Sequence, residues 1–327
     1  MGSVSDAHLV VVLKAIRTGR LVAFLGAGVN RCGRPANTGW KVGAYLPDGR
    51  ELANKLATDF GFDRSGSDDL LRVSEFVAVT AGTGPLRDSL HEIFNRDYPS
   101  TSAHDFFARL PAVLRANGGA QPEQLLITTN YDDLTECAFR EAGEPLDVLK
   151  YIAEGPAQGR FVHVTADGAT SDPIEKPNEY SGLPIDPHSL TLKRSLLVKV
   201  HGAVHRSDPE QDSYVITEDH YIDYLTRANL RSLLPSTLAA MLTRCGFLFL
   251  GYGLRDWNLR AILRQIWGEQ KFKYHSWAIQ LAPEPLDQKF WSQRDVEIID
   301  ASLEDYIALL DRRLREEPRP LQDAQTG

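Results

Sequence analysis

The sequence predicts an α/β fold: a Rossmann-like, mostly parallel sheet with helices on both faces and a helical insertion. Three observations carry this. Apolar runs of strand length, such as LVAFL (21–25) and FLFL (247–250), show no alternation and read as strands buried on both faces. Segments with helical spacing of apolar residues separate them. The runs break abruptly into glycine or polar clusters, as strands of an open sheet do at their ligand-binding edge.

Taken in order, residues 6–19 place Leu9, Val12, Leu13 and Ile16 on one helical face, with Asp6 expected as N-cap and Gly19 closing the helix. The first strand follows and ends at Gly26. From about 34 to 117 the pattern is helical, near 50–60, 70–80, 85–95 and 103–116, too much helix for one crossover. Leu125 to Thr128 reads as a second core strand. The stretch 153–190 is rich in Gly, Pro, Asp and Ser and reads as an irregular insertion, a lid or an interface, broken by FVHVT. SLLVKVHG is β-rich and ends at His201–Gly202; SYVIT reads as a short strand and EDHYIDYL as helix. CGFLFLGYGLRDWNLRAIL gives a strand, a glycine turn and a helix. YHSWAIQL, VEIID and a final helix LEDYIALLDRRLREE close the pattern. The expectation is one domain over 1–315, with insertions at about 34–117 and 153–190 and a disordered tail at 316–327.

Composition narrows the function classes. The 327 residues are 43% apolar and 24% charged, with net charge −8, a balance that opposes a main role in coating nucleic acid or anionic membrane. Cys32, Cys137 and Cys245 form no CxxC pair, which suits a reducing cytosol and supplies no thiolate zinc site. The first residues lack a signal-peptide pattern and no run reaches the roughly 20 apolar residues of a membrane span, so a soluble, cytoplasmic protein is expected. HExxH, GxSxG and GxxxxGK[ST] are all missing.

Four clusters at strand ends carry the candidate chemistry: Gly26-Ala27-Gly28, Thr129-Asn130-Tyr131-Asp132, His201-Gly202 and Gly251-Tyr252-Gly253. In a parallel sheet they converge on one crevice. The first glycine turn suits backbone approach to a pyrophosphate, with Asn30 or Arg31 adding a side-chain contact, although the full GxGxxG is absent. Asn130 can hold a ribose hydroxyl, a carboxamide or a water, or can form an Asx turn or helix cap. His201 can be a general base, a hydroxyl acceptor or a satisfied core histidine. Gly251 and Gly253 allow backbone approach to adenosine, with Tyr252 against a flat ring, or make another tight turn around a core tyrosine.

In this order the segments FLGAGV (24–29), TTNYDDL (128–134), KVHG (199–202), YVITEDHY (214–221) and FLFLGYGLRDWNLR (247–260) resemble the sirtuin-like domain family. The resemblance is nearest to the bacterial antiphage-defence branch, whose members hydrolyse NAD. Deacetylating sirtuins carry a zinc module with two CxxC pairs and a Gln before the Asn; this chain has neither, and Thr129 stands at that position.

The resemblance implies a Rossmann-like NAD-binding domain that cleaves the nicotinamide–ribose bond, with NAD as substrate and no metal. It assigns Asn130 to orienting water or the nicotinamide amide, and His201 to a ribose hydroxyl. It places Asp132 at the nicotinamide end, Gly26, Ala27 and Gly28 at the pyrophosphate, and Gly251 and Gly253 on the adenosine side; Asp256 matches the family's motif too, as a cofactor contact or simply as a helix cap or arginine partner, and Asn30 and Tyr252 complete the expected cofactor-binding set. It further implies an NAD-depleting, cell-suicide role, restraint by homo-oligomerisation or by a separate regulator such as a helicase-like ATPase, and no direct binding to nucleic acid or membrane. The alternatives are a non-catalytic NAD or ADP-ribose sensor, an NAD-dependent deacylase or ADP-ribosyl transferase, and a hydride-transferring dehydrogenase.

Overall fold

The structure, a computed structural model, describes residues 4–35, 38–63, 69–227, 230–253, 263 and 274–316. The strands are β1 (Leu21–Leu25), β2 (Leu125–Thr128), β3 (Leu146–Tyr151), β4 (Phe161–Val164), β5 (Ser195–Lys199), β6 (Gly202–Ala203), β7 (Ser213–Tyr214), β8 (Gly246–Leu250), β9 (Ser276–Gln280) and β10 (Val296–Asp300). The helices are α1 (Asp6–Arg17), α2 (Gly49–Phe60), α3 (Leu70–Ala81), α4 (Thr83–Phe94), α5 (Ser102–Ala116), α6 (Leu134–Glu141), α7 (Glu218–Arg227), α8 (Leu230–Leu233), α9 (Ser236–Leu242), α10 (Pro285–Ser292) and α11 (Leu303–Glu316). The helix expected after GYG and the tail expected at 316–327 lie, but for Leu263 and Glu316, outside the described residues.

Eight strands form one sheet in the order β10-β9-β8-β1-β2-β5-β3-β4. Every neighbouring pair is parallel except β3 and β4. This is the Rossmann-like, mostly parallel α/β architecture that the apolar runs predict. Successive residues of a strand face opposite sides, so the central strands feed two cores. Val22, Phe24, Ile127, Val198 and Phe249 enter one, with residues of α9 and the buried Ile174, Leu183, Ile185 and Leu192. Ala23, Leu25, Leu126, Leu197 and Leu250 enter the other, beneath α1, α5 and α11. The segment 153–190 thus packs on the sheet.

Of the four helices expected between 34 and 117, three build a third core. Leu56 of α2, Val73 and Val77 of α3 and Leu90 of α4 pack there against Tyr131, Val204 and Tyr214. The fourth, α5, lies in the sheet layer. Tyr131 links this module to the sheet, its ring edge-on to Phe94 at 5.5 Å and to Tyr214 at 5.2 Å.

Two local readings need correction. Ser5, not Asp6, caps α1, accepting from the His8 amide at 3.2 Å; Asp6 is the first helical residue. In SYVIT only Ser213 and Tyr214 pair as strand, against the β6 residues after His201. Strand β3 escapes notice in the sequence because Asp147 and Lys150 interrupt LDVLKY. Asp147 is wholly buried, and its carboxylate accepts from His163 Nε2 (3.0 Å), Arg194 Nε and Nη2 (2.9 and 3.0 Å) and the Ala166 amide (3.0 Å). Burial pushes its pKa up, but the hydrogen bonds from His163 and Arg194 outweigh that and bring it down to about 2.

A carboxylate held lower in the folded than in the unfolded chain contributes stability above the free value of 3.8 and loses it as pH falls through about 2. Asp147→Ala strips a buried charge network of its anion and is expected to cost about 3–5 kcal/mol at neutral pH, read by urea denaturation. A loss well under 1 kcal/mol would show that the network carries no stability.

Candidate active site

The strand order reverses beside β1: the chain steps to β2 on one side and returns through β8 on the other. Such a switch point opens a crevice outside the carboxyl ends of the strands. A cavity of about 840 Å³ lies there, within the roughly 300–1,000 Å³ usual for small-molecule sites. Ala27, Gly28, Asn30, Asn130, Asp132, His201, Gly251, Tyr252 and Gly253 all line it. Gly26 stands behind its wall, and Asp256 lies outside the described residues.

The two glycine turns interlock. The Gly26 amide donates to Leu250 O and the Gly28 amide to Gly251 O, both at 2.9 Å. A Cβ on Gly28 would stand 2.7 Å from Gly251 O, and one on Gly251 would stand 2.4 Å from the Val29 nitrogen. Gly251 also holds φ +74°, a region costly to any side chain. The glycines therefore serve first to let two strand ends touch, and two of their N–H groups are already used in doing so. Tyr252 braces the same junction: its hydroxyl donates to Leu25 O at 3.0 Å and lies 2.9 Å from Thr129 Oγ1, with its ring edge-on to Phe24.

The end of β2 is built as tightly. Thr128 Oγ1 donates to Leu25 O at 2.8 Å and accepts from the Asn130 amide at 3.0 Å. Asn130 Nδ2 reaches Gly26 O at 3.3 Å, and among the described residues nothing donates to its Oδ1. The turn-capping role falls to Asp132, whose Oδ1 accepts from the Leu134 amide at 3.1 Å. Asp132 Oδ2 accepts from Asn30 Nδ2 at 3.3 Å, and the buried Asn30 Oδ1 has no partner among the described residues. Beneath, buried Lys199 donates to the Asp132 carbonyl and to Glu136 Oε1, at 3.0 Å for the carboxylate.

His201 follows β5 and is 4% exposed. Its Nδ1 lies 3.3 Å from the Tyr221 hydroxyl, while Nε2 is buried with no partner among the described residues, so this is no satisfied core histidine. Burial alone pulls its pKa down to about 3, which keeps the ring neutral at physiological pH. Gly202 permits the turn that follows, at φ +82°, where a Cβ would meet Ser213 O at 2.2 Å.

The reading of strand ends passed over several lining residues. Tyr221 sits inside the quoted YVITEDHY run. Asp48 and Glu51 form a capping box at α2, legible as D-x-x-E, and Asp48 pairs with Arg31 across the rim at 3.1 Å. Gln280 enters from the end of β9, Ser302 from the connection after β10 and Glu304 from the first turn of α11, which no short pattern marks. Among the described residues no group of three His, Cys, Asp or Glu side chains is arranged to hold a metal, and no helix is long and apolar enough to cross a membrane.

A cavity at the switch point of a parallel sheet is where open α/β proteins place small-molecule ligands, and this one is lined by several buried polar side chains. The chain belongs to the SIR2-like domain family, whose model matches residues 124–299 and so spans Asn130, His201 and the GYG turn. It is 26% identical to defense-associated sirtuin 2 of Bacillus subtilis over 94% of its own length and 27% of the relative's. To the NAD(+) hydrolase ThsA of Enterococcus faecium it is 26% identical over 77% of its length and 41% of the relative's. The chain thus spans less than half of either relative.

Two outcomes follow from the geometry. Gly251→Ala is expected to lower stability by about 1–3 kcal/mol in chemical denaturation, since backbone atoms must move to admit the methyl group; an unchanged midpoint would refute the interlocked turns. For His201 the folded pKa of about 3 lies below the free value of 6.5, so between those values the unfolded chain takes up a proton that the folded chain refuses. Stability therefore falls as pH drops through that window, by up to about 1.4 kcal/mol per unit. His201→Asn should flatten that fall in thermal melts; an unaltered pH profile would show that the histidine is not buried neutral.

Proposed function

We propose that the chain hydrolyses NAD at the nicotinamide–ribose bond, giving nicotinamide and ADP-ribose, and acts as an NAD-depleting effector in antiphage defence. The observation that carries this reading is that Asn30 Oδ1, His201 Nε2 and Gln280 Oε1, three buried polar atoms without a partner among the described residues, belong to side chains lining one cavity, with Asn130 held there through Nδ2 beside the interlocked glycine turns. Buried polar groups are rarely left unmade, so such atoms mark where ligand hydroxyls or amides bind. The names of the two relatives, one a defence sirtuin and one an NAD hydrolase, point the same way.

The crevice suits the length of a dinucleotide. From β5 to β10 it crosses five strand intervals, roughly 24 Å at ~4.8 Å each. In this reading the nicotinamide riboside lies over the ends of β2 and β5 and the adenosine toward β9 and β10. Ala27, Gly28 and Asn30 would border the diphosphate, with Gly26 behind them holding the turn, and Gly251, Tyr252 and Gly253 the adenosine half.

Departure of nicotinamide leaves positive charge on the ribose, and the leaving group needs no proton. The work of the protein is to position and to stabilise charge in a dry site. Asn130, tethered through Nδ2, presents Oδ1 as an acceptor for the attacking water. His201, neutral and with Nε2 open, accepts a hydrogen bond from a ribose hydroxyl, drawing electron density toward the developing cation. The buried Asp132 carboxylate adds negative potential at the nicotinamide end. Water then captures C1′. Such an activity needs restraint, by self-assembly or by a separate regulator.

The test is nicotinamide release from NAD by the purified protein, followed by chromatography. Asn130→Ala and His201→Ala are each expected to cut the rate at least a hundredfold while circular dichroism stays unchanged. Tight NAD binding without any nicotinamide would replace this reading with a sensor; release unaffected by either substitution would remove the two residues from the chemistry.

A further inference from the structure

We propose that Tyr221 is the positioning residue for His201: its phenolic oxygen accepts the Nδ1 hydrogen of the neutral imidazole, so that the Nε2 lone pair is what the ring presents to the cavity. A neutral imidazole carries one hydrogen, and the bond made by one nitrogen decides the role of the other. Among the described residues only one ring nitrogen of His201 has a partner, and that partner is the Tyr221 hydroxyl, 3.3 Å from Nδ1. Placing the hydrogen on Nε2 would bury a donor with nothing to receive it. Orphaned N–H groups are rarer in protein interiors than unfilled acceptors, so the hydrogen belongs on Nδ1.

The surroundings hold this arrangement. Tyr221 lines the same cavity and is itself buried. Its ring stands at 89° to the imidazole with centroids 5.3 Å apart, and Tyr224, one turn on, stands at 86° and 5.8 Å. Two near-perpendicular rings fix the plane in which the imidazole can lie. Helix α7, which carries both, is pinned at its start. The Tyr221 amide donates to Thr217 O at 3.1 Å. His220 Nε2 lies 3.0 Å from Glu154 Oε1, and Arg87 of α4 donates to Glu154 Oε2 at 2.7 Å. On the other side the Val215 amide donates to His201 O at 3.0 Å, tying the histidine backbone to the segment that leads into α7. The phenol and the imidazole are thus both held from outside the contact they make.

The kinetic consequence rests on the hydrolase reading; the tautomer does not. Nitrogen NMR of protein labelled at the histidine rings, with the His201 signals identified by their loss in His201→Asn, is expected to show a protonated Nδ1 and a bare Nε2 in the ligand-free chain. In Tyr221→Phe, which keeps both ring contacts, the Nδ1 preference should be lost. Nicotinamide release should then fall about ten- to a hundredfold in kcat, with KM within about twofold. A hydrogen on Nε2 in the unaltered protein overturns the proposal, as does a Tyr221→Phe variant with unchanged tautomer and kcat. Lack of nicotinamide release from the unaltered chain defeats the hydrolase reading instead, and leaves the NMR result to decide the role of Tyr221.

Discussion

Between the ends of β1 and β8 two backbones approach closely enough that neither Gly28 nor Gly251 has room for a methyl group. This contact sits where the strand order reverses, and the rest of the site is hung from it. Gly26 O receives the Asn130 side-chain Nδ2, and Leu25 O receives both the Thr128 and Tyr252 hydroxyls. One short stretch of main chain therefore sets the height of the β2 end, the orientation of Asn130 and the position of the GYG turn together. A shift of the junction moves all three at once.

Around that fixed point the site is polarised. Lys199 and Glu136 sit beneath Asp132 in the protein interior, whereas the buried atoms of cavity-lining side chains left without a partner among the described residues are acceptors: Asn30 Oδ1, His201 Nε2 and Gln280 Oε1. Acceptors in a dry setting favour ligand hydroxyls and cationic character over anions. This matches a reaction in which positive charge grows on a sugar and a neutral base departs. It also assigns the glycine turns a different emphasis from a phosphate cradle, because two of their amides already bind carbonyl groups of the neighbouring turn.

The helical module contributes from the side. Its core closes over Tyr131, adjacent to Asn130, and Asp48 and Arg31 meet on the rim of the cavity. Through Arg87 and Glu154 the same module reaches His220, next to Tyr221. Asn130 and Tyr221, the proposed partner of His201, thus each have a neighbour whose position depends on α2–α4. By contrast the segment 153–190, for all its irregular sequence, spends its apolar residues on the sheet and puts none in the cavity.

Local chemistry made much of this legible in advance. Unbroken apolar runs can satisfy themselves only inside a parallel sheet, and a glycine or polar cluster at their ends marks the ligand edge, so fold class, sheet core and the group containing Gly28, Asn130, Asp132 and His201 follow from the chain alone. The shared YVITEDHY run even contained Tyr221, though nothing local says that its hydroxyl meets an imidazole 20 residues earlier. What only the tertiary structure decided depends on partners distant in sequence. Strand β3 hides a charge that Arg194 neutralises and His163 hydrogen-bonds; Asp132 rather than Asn130 caps the turn; Gln280 arrives from the end of β9 and Glu304 from the first turn of α11, which carry no local signal. Above all, a histidine in a sequence is equally a satisfied core residue or a waiting acceptor. His201 becomes the second because packing buries it, gives Nδ1 a phenol and leaves Nε2 with none, and burial is a property of the assembled fold, not of any stretch of chain.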